Sequence, residues 1–113
     1  MPSWKVAKKY RVRLSLQTEQ DALAIRDYIA HDKISASKKW WRNLWSKIRS
    51  LNHFPEKYEI IPEAADVGIN YRHIVFGNYR IIFLVLERDV YVVRIVHAAQ
   101  DYHPSLFAAD EPD

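Results

Sequence analysis

The chain has 113 residues, a formal net charge of +3, 49% hydrophobic residues and no cysteine. That length suits one hydrophobic core rather than two. The missing cysteines exclude disulfides, thiolate metal sites and cysteine nucleophiles, and no apolar run approaches the eighteen or so residues that a membrane helix needs.

The charge is unevenly spread. Basic residues exceed acidic ones by 8 through Ser50, and acidic exceed basic by 5 from Leu51 onward. A basic first half suits a partner bearing phosphates or an acidic protein surface, or it is simply a solvated helix face. The opening MPSWKVAKKYRVR is too polar for a secretory leader, so a cytoplasmic location is the default. One domain over 1–113 is expected, with residues 1–5 and 104–113 mobile.

Between Lys5 and Leu16 the chain comes to alternate, with Tyr10, Val12, Leu14 and Leu16 on one side and Arg11, Arg13 and Ser15 on the other. This predicts a half-exposed strand whose cations protect a sheet edge. A first helix is expected from about Thr18 to His31. Thr18 and Asp21 offer a capping box, and Ala22, Ile25 and Ile29 fall on one face with Tyr28 beside them. Ser35 is expected to cap a second helix running to about Asn52, with Trp41, Leu44, Ile48 and Leu51 as its apolar stripe. Trp40 and Trp45 lie on the flanks, and Trp45 is the one more available to a partner. Pro55 ends this helical hairpin.

Residues 56–70 read as an irregular loop, with Ile60 and Ile61 tucked under the sheet. From Tyr71 to His97 three runs rich in Val, Ile, Phe and Tyr are punctuated by Gly77-Asn78 and Arg88-Asp89, which predicts an antiparallel meander with two-residue turns. With those turns, Val75 opposes Arg80 and Arg80 opposes His97. Side chains alternate with period two. One face then carries His73, Val75, Arg80, Ile82, Leu84, Leu86, Tyr91, Val93, Ile95 and His97. The other carries Arg72, Ile74, Phe76, Tyr79, Ile81, Phe83, Val85, Val90, Val92, Arg94 and Val96, and is assigned to the core. A three-residue turn at either place would reverse this parity.

The expected fold class is therefore α+β, in the order β-α-α-β-β-β, with an antiparallel sheet and a helical hairpin packed on one face. The other face should remain bare and apolar, a partner surface, with Arg80, His73 and His97 gathered at its basic end. Asp101-Tyr102 either orients His97 or closes the last strand. His31, His53 and His103 have no ligand-like spacing, so no metal site is expected.

The segment 72–83 (RHIVFGNYRIIF) and the segment 93–102 (VRIVHAAQDY) resemble the C-terminal half of the RelE/ParE superfamily of type II toxin–antitoxin toxins. Residues 21–30 (DALAIRDYIA) resemble its first helix, and 51–55 (LNHFP) its helix-ending motif. The resemblance spans about residues 10 to 103. It implies a cognate antitoxin whose segment would cover Ile82, Leu84, Leu86, Tyr91, Val93, Ile95 and Trp45, folding as it binds. It also implies one of two targets inside the cell, with no membrane involved. ParE-like members poison DNA gyrase. RelE-like members cut messenger RNA on the ribosome, a reaction needing a base, phosphate-binding cations and an acid but no metal or other cofactor.

For the cutting reaction, Arg80 matches the family's arginine and would clamp phosphate, and His97 would move protons. Arg72 and His73 are lesser candidates. Arg72 falls on the core-side face, where it binds at the sheet's rim or caps the core. The bland reading of Arg80 and His97 is a cross-strand polar pair. The chain departs from the cutting members in having Ala98, Ala99 and Gln100 after the histidine, and in having His73 and Val75 where lysines stand before Arg80. These losses favour the ParE-like reading. A binding module that keeps only the antitoxin contact is a third possibility.

Overall fold

A computed structural model describes residues 9–62, 64 and 68–99. The expectations for residues 1–5, 104–113 and Asp101-Tyr102 lie outside these. The elements run β1 (Arg11–Leu14), α1 (Leu16–Asp32), α2 (Ile34–Arg49), β2 (Arg72–Phe76), β3 (Tyr79–Leu86) and β4 (Asp89–His97), in the predicted order. Single 3₁₀ turns follow at Ser50–Asn52 and Pro55–Lys57. The sheet order is β1-β4-β3-β2. The β2–β3–β4 meander is antiparallel as expected, whereas β1 pairs parallel with β4, so the sheet is mixed. A parallel partner follows from topology: two antiparallel helices return the chain to the end of the sheet from which β1 left.

Both helices start earlier than their sequence signals suggested. Ser15 rather than Thr18 is the N-cap of α1, accepting from the Thr18 N–H at 3.0 Å. Lys33 caps α2 by its backbone alone, and Ser35 lies within the first turn. Leu44, Ile48 and Leu51 of the predicted stripe are buried and Trp41 is half-buried. The second helix ends at Arg49, ahead of Pro55, which instead opens the Pro55–Lys57 3₁₀ turn after Phe54 turns the chain with a φ of 47°.

The β2–β3 turn is Gly77-Asn78, with Gly77 supplying the required positive φ of 57°. The second turn is Glu87-Arg88 and not Arg88-Asp89, because Leu86 pairs with Asp89. Asp89 is held inside the sheet by β1, its carboxylate accepting from Arg11 Nε at 2.8 Å. A turn displaced by one residue at both ends preserves parity. A β-bulge does not. Between Ile82 and Phe83 the register slips: Phe83 pairs with Val92 but Ile82 pairs with Arg94, so Val93 is the extra residue.

That bulge is pinned by the start of α1. Val92 O accepts from Ser15 N at 2.9 Å and from Thr18 Oγ1 at 3.0 Å, and Val93 O accepts from Ser15 Oγ at 2.9 Å. One turn later the Asp21 carboxylate accepts from Ile95 N at 3.0 Å and grips the Arg94 guanidinium at 2.8 and 3.2 Å. A bulge frees backbone groups that cannot be left unpaired inside the protein, and these three side chains satisfy them.

The core lies on both faces of the sheet. On the helix side, Ile74, Ile81, Phe83, Val90, Val92 and Ile95 pack with Ala22, Leu44, Ile48 and Leu51. On the other side, Ile82, Leu84, Val93 and Val96 pack under Ile61, Ala64 and Tyr71, with Ile69 and Tyr91 at the margin. The expected bare apolar face is therefore absent from the lone chain. Ile82 and Val93 are 0% exposed and Leu84 4%, covered by the segment that reads as an irregular loop. Ile61 does tuck beneath the sheet, while Ile60 is left exposed.

Candidate functional sites

Beyond the bulge, Ile95, Val96 and His97 take the opposite face from the one expected. Arg80 opposes Val96, and His97 opposes Tyr79. His97 thus turns to the helix side, its ring 5.5 Å from that of Tyr79, and its Nδ1 accepts from the Ala99 N–H at 3.2 Å. Ile95 joins the helix-side core. The predicted gathering of Arg80, His73 and His97 is only partly formed: Arg80 and His73 meet, and His97 lies across the sheet from them.

Where Arg80 and His73 meet, the geometry fixes the chemistry. Arg80 Nη1 lies 3.0 Å from His73 Nδ1, and His73 Nε2 lies 2.9 Å from Glu59 Oε1. A guanidinium only donates, so Nδ1 accepts, and the ring proton sits on Nε2, where it donates to the carboxylate. His73 is only 8% exposed. Both ring nitrogens are engaged, and the imidazole faces no open surface from which to take a substrate proton. Glu59 was missed by the sequence reading. It stands 14 residues before His73, across a loop without periodicity, and no local signal announces it.

Arg72 opposes Phe83 as expected and donates from Nη1 to the carbonyls of Glu56 (3.1 Å) and Tyr58 (2.6 Å). It ties the 55–58 turn to the sheet, a capping role. Of the residues expected to meet an antitoxin, Leu86 is exposed, Tyr91 and Trp45 are half-buried, and Ile82, Leu84, Val93 and Ile95 are covered.

Two features of the helical hairpin stand out. At one end Tyr28, Trp40, Phe76 and Tyr79 line a groove with Gly77 and Asn78. Trp40 Nε1 has no hydrogen-bond partner among the described residues. The Tyr79 phenol is pushed above its ordinary pKa, first by burial and then by the nearby Tyr28. Along the outer surface, Arg26 of α1 and Ser35, Ser37, Lys38, Trp41 and Arg42 of α2 line an open cleft. Arg26 and Arg42 were not singled out in the sequence, since the two come together only when the helices pair.

No helix among the described residues is long and apolar enough to cross a membrane, and no three or more of their His, Asp and Glu side chains are grouped to hold a metal ion.

A family model, the ParE toxin of type II toxin-antitoxin systems (parDE), matches residues 12–102. Twelve chains of solved structures also match. One of them, from the chromosomal ParDE TA system of P. aeruginosa, superposes with a TM-score of 0.64 at 13% sequence identity, covering 80% of this chain and 98% of that one. At that identity the likeness is one of fold. No curated protein sequence gives a significant match.

Proposed function

The chain belongs to the ParE toxin family and is the toxin of a type II toxin–antitoxin module, and on that premise we propose that it arrests bacterial growth by poisoning DNA gyrase in the cytoplasm. A cognate antitoxin silences it. The observation that supports the choice of target is the placement of Arg80, His97 and His73, three of the four candidate catalytic side chains. Cutting RNA calls for a base and cations converging on one phosphate. Here His97 lies on the opposite face from Arg80, and His73 is enclosed between Arg80 and Glu59.

The antitoxin segment is proposed to contact Leu86, Tyr91 and Trp45, the members of the expected set that are not fully covered in the lone chain. It reaches Ile82, Leu84 and Val93 only where the 60–71 loop gives way, whereas Ile95 is closed off by the helices.

The test is a cleavage assay with purified gyrase, supercoiled plasmid, ATP and the toxin. The expected result is double-stranded breaks that appear after protease and detergent treatment and vanish when antitoxin is added first. In cells, SOS induction and filamentation should accompany them. Intact plasmid, together with a rapid stop of translation and cut messages, would favour the ribosomal target. Normal growth would leave an antitoxin-binding module without toxicity.

A further inference from the structure

The outward surface of α2 is unusual in its charge. The helix holds five basic residues, Lys38, Lys39, Arg42, Lys47 and Arg49, and no acidic one. Lys38, Arg42 and Arg49 are spaced i, i+4, i+11, so they form one exposed stripe along the helix. The stripe is about 16 Å long at 1.5 Å per residue. Its first two members enter the cleft that Arg26 completes from α1. Arg26 is held there by its own surroundings: its guanidinium lies 4.8 Å from the centre of the Trp41 ring, and Nη2 lies 3.4 Å from the Asp27 carboxylate. A guanidinium stacked on an indole keeps its in-plane N–H groups available to oxygen ligands. The exposed Ser35 hydroxyl stands beside them.

We propose that this cleft and stripe bind the phosphate backbone of double-stranded DNA without reading its sequence. Charge complementarity supports a polyanion, since cations gathered from two helices face outward and, among the described residues, Asp27 is the one carboxylate in contact with them. Trp41 is covered by Arg26 on its face and packs edge-on against Trp45 at 5.2 Å. A rigid stripe suits the fixed phosphate spacing of a duplex, about 3.4 Å of rise per strand, better than a flexible single strand. The inference does not depend on gyrase, because contact with DNA is measured without it.

The experiment is fluorescence anisotropy of a labelled 20-base-pair duplex of mixed sequence, titrated with the full-length chain at 50 to 200 mM NaCl. Neutralising four phosphates through Arg26, Lys38, Arg42 and Arg49 gives a slope of log affinity against log salt of about −3.6, or roughly 150-fold weaker binding across that range. Lys38→Gln and Arg42→Gln each reduce the slope by about 1 and weaken binding at low salt. Arg88→Gln, in the β3–β4 turn, leaves both unchanged. Circular dichroism should show every variant folded, since all three altered side chains are exposed. The proposal is overturned by an absence of binding at 50 mM NaCl up to about 100 µM chain, the weak end of non-specific association. It is equally overturned if the cleft variants bind like wild type, if polyglutamate competes as well per charge as DNA, or if single-stranded RNA of the same length binds as tightly. Loss of DNA binding with gyrase poisoning intact would separate this surface from the toxin's action on its target.

Discussion

The two faces of the sheet are buried by different means. Behind it, α1 and α2 bring their own closed hydrogen-bond ladders and contribute only apolar stripes and three polar pins, Ser15, Thr18 and Asp21. In front, a loop without regular structure lays Ile61, Ala64 and Tyr71 over Ile82, Leu84 and Val93. It is held by backbone hydrogen bonds such as Ile61 N to Tyr71 O (2.9 Å) and by the Arg72 side chain. Both covers exclude water from the apolar residues beneath. The helical cover is cooperative within itself, whereas the loop depends on its packing and hydrogen bonds to the sheet.

The largest expected effect sharpens this contrast within one strand. Phe83 and Leu84 are adjacent, and each is buried under a different cover. Phe83→Ala should cost about 3–5 kcal/mol and Leu84→Ala about 2–4 kcal/mol in urea denaturation, as for ordinary core truncations. A Leu84→Ala cost near zero would mean that the front face is not covered in solution.

Removing a pin comes next. Asp21→Ala takes away the acceptor for Ile95 N and the partner of Arg94, both part-buried. A loss of about 2–3 kcal/mol is expected, read as a lower urea midpoint with unchanged slope. If the loss is under about 0.5 kcal/mol, the bulge does not need α1.

Alkaline pH probes the helix-side rim. The Tyr79 phenol is raised by burial and then by Tyr28, so the native chain keeps that proton where the unfolded chain has begun to lose it. Stability from this source is present below pH about 10, the ordinary phenol value, and is lost as pH rises above it. Tyr79→Phe should therefore show a shallower decline of melting temperature between about pH 9.5 and 11 than the wild type. An equally steep decline would remove Tyr79 as a contributor.

The smallest effect lies in the β3–β4 turn. Glu87 is a non-glycine residue at a φ of 54°, a conformation in which glycine avoids the Cβ penalty. Glu87→Gly should raise stability by about 0.5–1 kcal/mol, measured by thermal denaturation. A decrease would show that the Glu87 side chain supports the turn in a way its backbone geometry does not reveal.

The element order, the Gly77-Asn78 turn, the β2–β3 register and the α2 stripe are all legible in the sequence, since each rests on local periodicity or on a residue with one conformational use. What is not legible depends on distant partners. Apart from Arg94, Val90 to Val96 is apolar on either parity, so nothing local marks Val93 as the extra residue. Its signature is written in Ser15, Thr18 and Asp21, more than 70 positions earlier. The second turn is likewise displaced by Asp89 pairing with Arg11. The loop that covers the front face carries its apolar residues at irregular intervals, so burial there could not be read from period. Each of these moved the candidate site. The bulge separated His97 from Arg80, and the loop supplied Glu59, which closes His73.

The most direct measurement is growth arrest by the His97→Ala variant, expressed under tight control beside the wild type. His97 is exposed, so its removal leaves the fold intact. Because it stands across the sheet from Arg80, the proposed action on gyrase predicts that His97→Ala arrests growth as strongly as the wild type, with the same broken DNA. Loss of toxicity in a folded His97→Ala protein, together with messages that the wild type cuts and the variant does not, would contradict the account.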